Sequence, residues 1–141
     1  MENSLTLSRT YSFSTEAVFE KYSNPLALAR WWWPKGFTNT FHSFEFVDWG
    51  HWIFTMHSPD GQNYANEHIF HRIEKNHIIT EHIVEPHFQT EIILEDLGEN
   101  KTKMTWISTF ESAEFLEKMR DFLIEKNGEN FDRLEEELKN Y

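Results

Sequence analysis

The sequence predicts an α+β fold: one strand, two short helices, six further antiparallel strands and one long C-terminal helix. Three observations carry that expectation. Apolar and polar residues alternate with period two from Thr38 to Phe110, and turn signals cut this stretch at short intervals. Ahead of it lie two capped segments with helical character. Behind it, apolar residues between Phe115 and Leu138 recur at spacings of three and four.

The first strand runs from Leu5 to Phe13, with Leu5, Leu7, Arg9, Tyr11 and Phe13 on one face and Thr6, Ser8, Thr10 and Ser12 on the other. Ser14 or Thr15 caps a helix over Glu16 to Tyr22, because a short hydroxyl side chain can accept from an orphan N–H of the first turn. Asn24-Pro25 opens the second helix with proline at its favoured first position; Leu26, Leu28, Ala29 and Trp32 follow, and Pro34 stops it. Turn signals at Asp48-Trp49-Gly50, Ser58-Pro59-Asp60-Gly61-Gln62, Glu74-Lys75-Asn76, Glu85-Pro86 and Leu97-Gly98-Glu99-Asn100 divide the β region into six strands. Phe44 and Phe46 share a face of the first, Trp52, Phe54 and Met56 of the second, and Tyr64, His68 and Phe70 of the third. Ile78, Thr80 and His82 align on the fourth, Phe88, Thr90, Ile92 and Leu94 on the fifth, and Met104, Trp106, Ser108 and Phe110 on the last. Short connections between consecutive strands imply an antiparallel meander.

Ser112 begins the final helix, whose apolar positions are Phe115, Met119, Phe122, Leu123, Phe131, Leu134 and Leu138. Gly128 within it predicts a bend or a close approach, since glycine costs a helix about 1 kcal/mol against alanine. The helix is expected to lay its apolar stripe across the concave side of the sheet.

A chain of 141 residues fits a single domain with a proper core. With 13 basic and 24 acidic side chains the formal charge is −11, which repels phosphate backbones and makes nucleic acid an unsuitable partner. Glu135-Glu136-Glu137 is expected to be a solvated helix face. There is no cysteine, so disulfides, thiolate ligands and cysteine nucleophiles are excluded. The sequence has no apolar run of membrane-spanning length and no signal-peptide pattern at Met1-Glu2-Asn3-Ser4, so a cytoplasmic protein without membrane insertion is expected, as monomer or homodimer. Aromatic content is the unusual feature: 13 Phe, 6 Trp and 4 Tyr carry much of the apolar volume. In Trp31-Trp32-Trp33, three adjacent indoles cannot all face one side of a regular element, which points to a rim or a pocket wall.

The chain resembles the START-related (SRPBCC) helix-grip superfamily and, more narrowly, the family named after the C-terminal domain of the activator of heat-shock-protein-90 ATPase. The residues that carry the likeness are Asn24-Pro25 with Trp31-Trp32 and Pro34-Lys35-Gly36-Phe37-Thr38, then Gly50-x-Trp52, Pro59-Asp60-Gly61 with Tyr64, Lys101-Thr102 with Thr105-Trp106, and Asp132-Arg133-Leu134. The resemblance implies a seven-stranded antiparallel sheet wrapped around the C-terminal helix and enclosing an apolar cavity. Trp33 stands where the family usually has glycine, and Trp49-Gly50 where it often has a glycine pair. Both are expected to add indole near one end of the cavity, with Trp33 narrowing its mouth.

Trp31, Trp33, Phe44, Phe46, Trp52, Phe54, Phe70, Phe88, Trp106, Phe110 and Phe122, with Met56 and Met119, are the candidate walls of such a cavity; each ring read singly is better explained as core, and only the set taken together favours a cavity. Tyr64, His68 and His82 are the candidate polar anchors, and Arg72 is the other inward polar side chain. His68 and His82 fall on inward faces of consecutive strands, so a register that sets them opposite one another would make a polar spot among rings. Eight histidines invite a metal reading, but the spacing of His68 and His71 puts them on opposite faces of a strand, and no metal or cofactor is expected. Glu45, Glu67 and Glu81 alternate outward, so no catalytic residue is assigned. The leading expectation is a binder of a hydrophobic small molecule, lipid-like or aromatic. The alternatives are a co-chaperone-like module acting on a chaperone or other protein, and a cyclase- or hydrolase-type enzyme using a cavity histidine.

Overall fold

The computed structural model describes residues 3–32 and 36–140, and its elements follow the predicted order. They are β1 (Ser4–Tyr11), α1 (Thr15–Ser23), α2 (Pro25–Trp31), β2 (Thr38–Phe44), β3 (His51–His57), β4 (Asn63–Glu74), β5 (His77–His82), β6 (Phe88–Gly98), β7 (Lys101–Phe110) and α3 (Ala113–Asn140). The strands form one antiparallel sheet in the order β1-β7-β6-β5-β4-β3-β2, a meander to which the first strand adds at the far edge beside the last. With three helices on it, including the long α3, this is the helix-grip α+β architecture.

Caps fix both short helices. The Ser14 hydroxyl accepts from the Ala17 N–H at 3.2 Å, and the Asn24 side chain accepts from the Leu26 N–H at 3.0 Å ahead of Pro25. α2 ends at Trp31, and Trp32, which caps it, leaves the helix with its N–H bonded to the Leu28 carbonyl at 2.9 Å. That change of direction lets both indoles turn inward: Trp31 is 1 % and Trp32 7 % exposed. Trp33 lies outside the described residues, and so does the expectation that it narrows a mouth.

Register shifts interrupt β2 between Phe41 and Ser43, β4 between Phe70 and Arg72, and β6 between Asp96 and Gly98. A bulge carries an extra residue and exchanges the faces beyond it. In β4 this turns Ile73 toward the core and Arg72 out to solvent, where it pairs with Glu74 at 3.2 Å; Arg72 is therefore not an inward group.

α3 packs on β1, β7, α1 and α2, and among the described residues none of its Cα atoms comes within 8 Å of β3, β4, β5 or β6. Polar ties and the buried Phe131, Leu134 and Leu138 hold its C-terminal half. The Tyr11 hydroxyl donates to the Phe131 carbonyl at 2.9 Å, Arg9 meets Asp132 at 2.5 Å, and Arg30 grips Glu137 with Nε at 2.8 Å and Nη2 at 2.5 Å. Arg133 donates to the Arg30 and Phe37 carbonyls, bridging the segment between α2 and β2. Apolar contact holds the N-terminal half, where Leu116 packs with Leu5 and Phe110, flanked by Phe88, Phe115 and Leu123. The helix runs unbroken through Gly128, where an added Cβ would meet nothing within 4 Å, so the expected close approach is absent. Phe122 is 52 % exposed, because it lies about 100° round the helix from Leu123, the residue that carries the apolar stripe. None of the described helices is long and apolar enough to cross a membrane.

Candidate functional site

Strand register builds one continuous row of rings across the concave face. Phe44 pairs with Trp52, Trp52 with His68, His68 with His82, His82 with Phe88, and Phe88 with Phe110, so six strands each place one ring opposite the next. Successive ring centroids lie 5.9, 4.9, 4.9, 4.9 and 5.5 Å apart. Beside it runs a second row, Phe70-Thr80-Thr90-Ser108, in which the Thr90 and Ser108 hydroxyls are 3.2 Å apart. The concave face thus carries a stripe of rings next to a stripe of hydroxyls, all of the latter buried.

The two histidines interrupt the ring row at its centre. His68 is 2 % exposed and lies within ring-contact distance of Trp32, Trp52, Phe54, His82 and Phe88. Burial, seconded by the neighbouring His82, holds its pKa well below the ordinary imidazole value, so the ring is neutral at physiological pH. Its Nδ1 is 3.0 Å from the Thr80 hydroxyl, its one hydrogen bond among the described residues. The Thr80 hydroxyl likewise has no other partner there; where it donates to Nδ1, the proton of the neutral ring is on Nε2. His82 lies 2.7 Å through Nδ1 from the Pro86 carbonyl and 2.6 Å through Nε2 from the side-chain oxygen of Asn66. Burial lowers its pKa, partly opposed by the Pro86 bond. Among the described residues the buried Trp52 indole N–H has no hydrogen-bond partner, an uncommon state for so strong a donor.

Between the rings and the short helices is a void of about 10 Å³, lined by Tyr22, Leu28, Trp32, Phe46, Trp52, Phe70, Ile78, Thr80 and Ile92. That is room for about one water molecule. The larger enclosed cavity that the resemblance implies is occupied by side chains in this conformation.

The sequence-predicted candidates divide into three sets. Trp52, Phe54, His68, Phe70, His82, Trp106 and Phe110 are buried, and Phe44, Phe46, Met56, Phe88 and Met119 are half-buried. Trp31 and Trp106 use their indole N–H groups internally, on the Lys21 carbonyl at 3.0 Å and the Tyr22 hydroxyl at 2.9 Å. Tyr64 and Phe122 do not join the site. Tyr64 is 48 % exposed beside the turn of the β3-β4 hairpin, and Phe122 lies under the Lys126 ammonium at 5.8 Å. Trp49 leaves the cavity region as well: its left-handed backbone (φ 65°) and an N–H bond to Phe70 turn the indole outward, 66 % exposed, against His71 at 4.9 Å. Sequence reasoning did not select Trp32, Asn66 or Tyr22. Asn66 falls on the same alternation as His68 and could have been found from it; Trp32 depended on where α2 stops.

The remaining histidines belong to the outer face. His51 pairs with Glu67 at 2.8 Å, His77 with Glu91 at 2.6 Å and His71 with Glu81 at 2.5 Å, while His87 pairs with both Glu81 and Glu111. Glu81 is pushed up by partial burial but held below its ordinary value by bonds from His71 and His87, and the Glu81 bond raises His87 in turn. Among the described residues no group of three or more His, Asp or Glu is arranged to hold a metal ion.

A family model described as "Activator of Hsp90 ATPase homolog 1-like protein" matches residues 12–139. A comparison with curated proteins gives no match. Among solved structures, a protein from Arthrobacter aurescens is similar at 27 % identity and TM-score 0.89, over 99 % of this chain and 87 % of that one. A protein from Nitrosomonas europaea is similar at 19 % identity and TM-score 0.88, over 97 % and 94 %. A Staphylococcus aureus protein of unknown function, at 14 % identity and TM-score 0.77 over 97 % and 93 %, shares the fold.

Proposed function

Given that this chain belongs to the Activator of Hsp90 ATPase homolog 1-like family, we propose that it binds a hydrophobic small molecule, aromatic or lipid-like, on the concave face of its sheet. The observation that carries this reading is the buried His68–His82 pair at the centre of a row of rings. Burying imidazoles costs stability that apolar residues in their place would not cost. The separation of the α3 backbone from β3–β6 supports the same reading. In the closed form that space admits about one water, so a ligand enters by displacing rings. The N-terminal half of α3, held by the apolar group around Leu116, is the natural part to yield. No step of catalysis is assigned.

The test is titration with N-phenyl-1-naphthylamine, a neutral apolar fluorophore, followed by its own emission and by amide shifts of the labelled protein. Saturable binding with shifts concentrated on His68, His82, Phe88 and Leu116 is expected. Absence of saturable binding overturns the reading.

Protein docking is the second reading. It is favoured by Val47 and Trp49, 59 % and 66 % exposed on one loop held by the Trp49 N–H, which donates to the Phe70 carbonyl, and by the Asp48 carboxylate, which accepts from the Ile73 N–H. Stimulation of a heat-shock ATPase that is lost in Trp49→Ala would support it, and no stimulation by the intact chain would end it.

A further inference from the structure

Among the described residues the Trp52 indole N–H on the concave face is buried without a partner, and the neighbouring His68 makes its one hydrogen bond there through Nδ1, with Thr80, which leaves its Nε2 unengaged. The two residues stand directly opposite each other on β3 and β4, with ring centroids 4.9 Å apart and an interplanar angle of 31°. A buried donor left without an acceptor is destabilising, and here one is held against an imidazole whose Nε2 is unengaged. Neither is needed by the sheet: Phe at either position would preserve the ring row. What the pair lacks is one acceptor atom.

That acceptor carries no full charge. The ring row and the hydroxyl row beside it contain no cation, and the surroundings of His68 are Trp32, Trp52, Phe54, Phe88 and a second neutral imidazole. A carboxylate or phosphate placed there would be an uncompensated buried charge in a chain already at −11, whereas a carbonyl oxygen accepts two hydrogen bonds at no such cost. The flanking rings meanwhile offer flat apolar faces to a flat ligand.

We propose that the ligand is a neutral ring compound bearing a carbonyl, such as an aromatic ketone, aldehyde or quinone, whose oxygen accepts from Trp52 Nε1–H and His68 Nε2–H together. This rests on the small-molecule reading above and specifies which chemistry of ligand it concerns.

Three probes of nearly equal shape separate the possibilities: 2-acetylnaphthalene, 2-isopropenylnaphthalene, which replaces the carbonyl oxygen by a methylene, and the anion 2-naphthoate. Calorimetric titration of the full chain is expected to give at least tenfold tighter binding of the ketone than of the other two. Trp52→Phe and His68→Phe should each reduce that preference severalfold. Should either variant fail to fold, the wild-type chain still decides: the Trp52 indole N–H proton resonance should move downfield with the ketone and not with the alkene. Equal binding of ketone and alkene, tightest binding of the naphthoate, or an indole proton indifferent to the ketone overturns this inference and leaves apolar binding standing. If none of the three binds, both fall.

Discussion

His68 and His82 face each other across β4 and β5 with ring centroids 4.9 Å apart, and burial lowers the pKa of both. An unfolded chain titrates its histidines near pH 6.5, so between that value and the lower native ones the unfolded state holds more protons than the folded state. Their contribution to stability is therefore complete above about pH 6.5 and is lost as the pH falls below it, at up to about 1.4 kcal/mol per pH unit for each histidine. The raised His87 acts in the opposite sense and in a different window: its contribution is complete below about pH 6.5 and fades as the pH rises past it. Urea midpoints between pH 7 and 5 should fall for the wild type and fall less for His68→Gln/His82→Gln. A double variant with an unchanged slope would refute the assignment.

Tyr22 is both acceptor for the Trp106 indole N–H at 2.9 Å and donor to the Met104 sulfur at 2.9 Å, and burial raises its own pKa. Tyr22→Phe leaves the indole donor buried without a partner, which is expected to cost about 1–3 kcal/mol. Tyr11→Phe removes only a donor to the Phe131 carbonyl and should cost about 1 kcal/mol. Equilibrium unfolding that ranks Tyr11 above Tyr22 would contradict this account.

Two arginine–carboxylate pairs tie α3 down, with unequal expected worth. Glu137 is 7 % exposed and takes two bonds from Arg30, whereas Asp132 is 68 % exposed opposite Arg9. Glu137→Ala is expected to cost about 1.5–3 kcal/mol and Asp132→Ala less than about 1 kcal/mol. Measurement in 0.5 M salt should shrink the second effect and spare most of the first.

The glycines give a pair of opposite results. Gly128 lies inside a helix with open space about its Cα, so Gly128→Ala should stabilise by about 0.4–1 kcal/mol. At Gly50 an added Cβ would lie 2.0 Å from the Glu45 carbonyl oxygen, so Gly50→Ala must displace backbone and should lower the melting temperature by several degrees or more.

Element order and inward faces could be read from alternation because each strand buries one side only, and period two then marks that side without ambiguity: Trp52, His68, His82 and Phe88 all follow from it. The pairing of His68 with His82 could not, since cross-strand register depends on turn geometry and bulges. Arg72 was misread because the β4 bulge exchanges faces between Phe70 and Arg72. Tyr64 was misread because alternation tells inside from outside but not how far along the strand the core extends. Phe122 was misread because a helix stripe narrower than its apolar residues leaves one of them over. How much room the rings leave is a matter of side-chain packing, which no periodicity encodes.

Among the described residues, ion pairs to other elements tie only the C-terminal half of α3, which also sets Phe131, Leu134 and Leu138 in the main core, whereas Leu116, Phe115 and Leu123 hold the other half by apolar contact. Acid or concentrated salt therefore weakens the grip on Asp132 and Glu137 and leaves the Leu116 end largely indifferent. Cooling weakens apolar contact along the whole helix. Relative to Leu116, backbone amide exchange near Asp132 and Glu137 should accordingly quicken in acid, so that one rod answers to two kinds of stress at one end and to a single kind at the other.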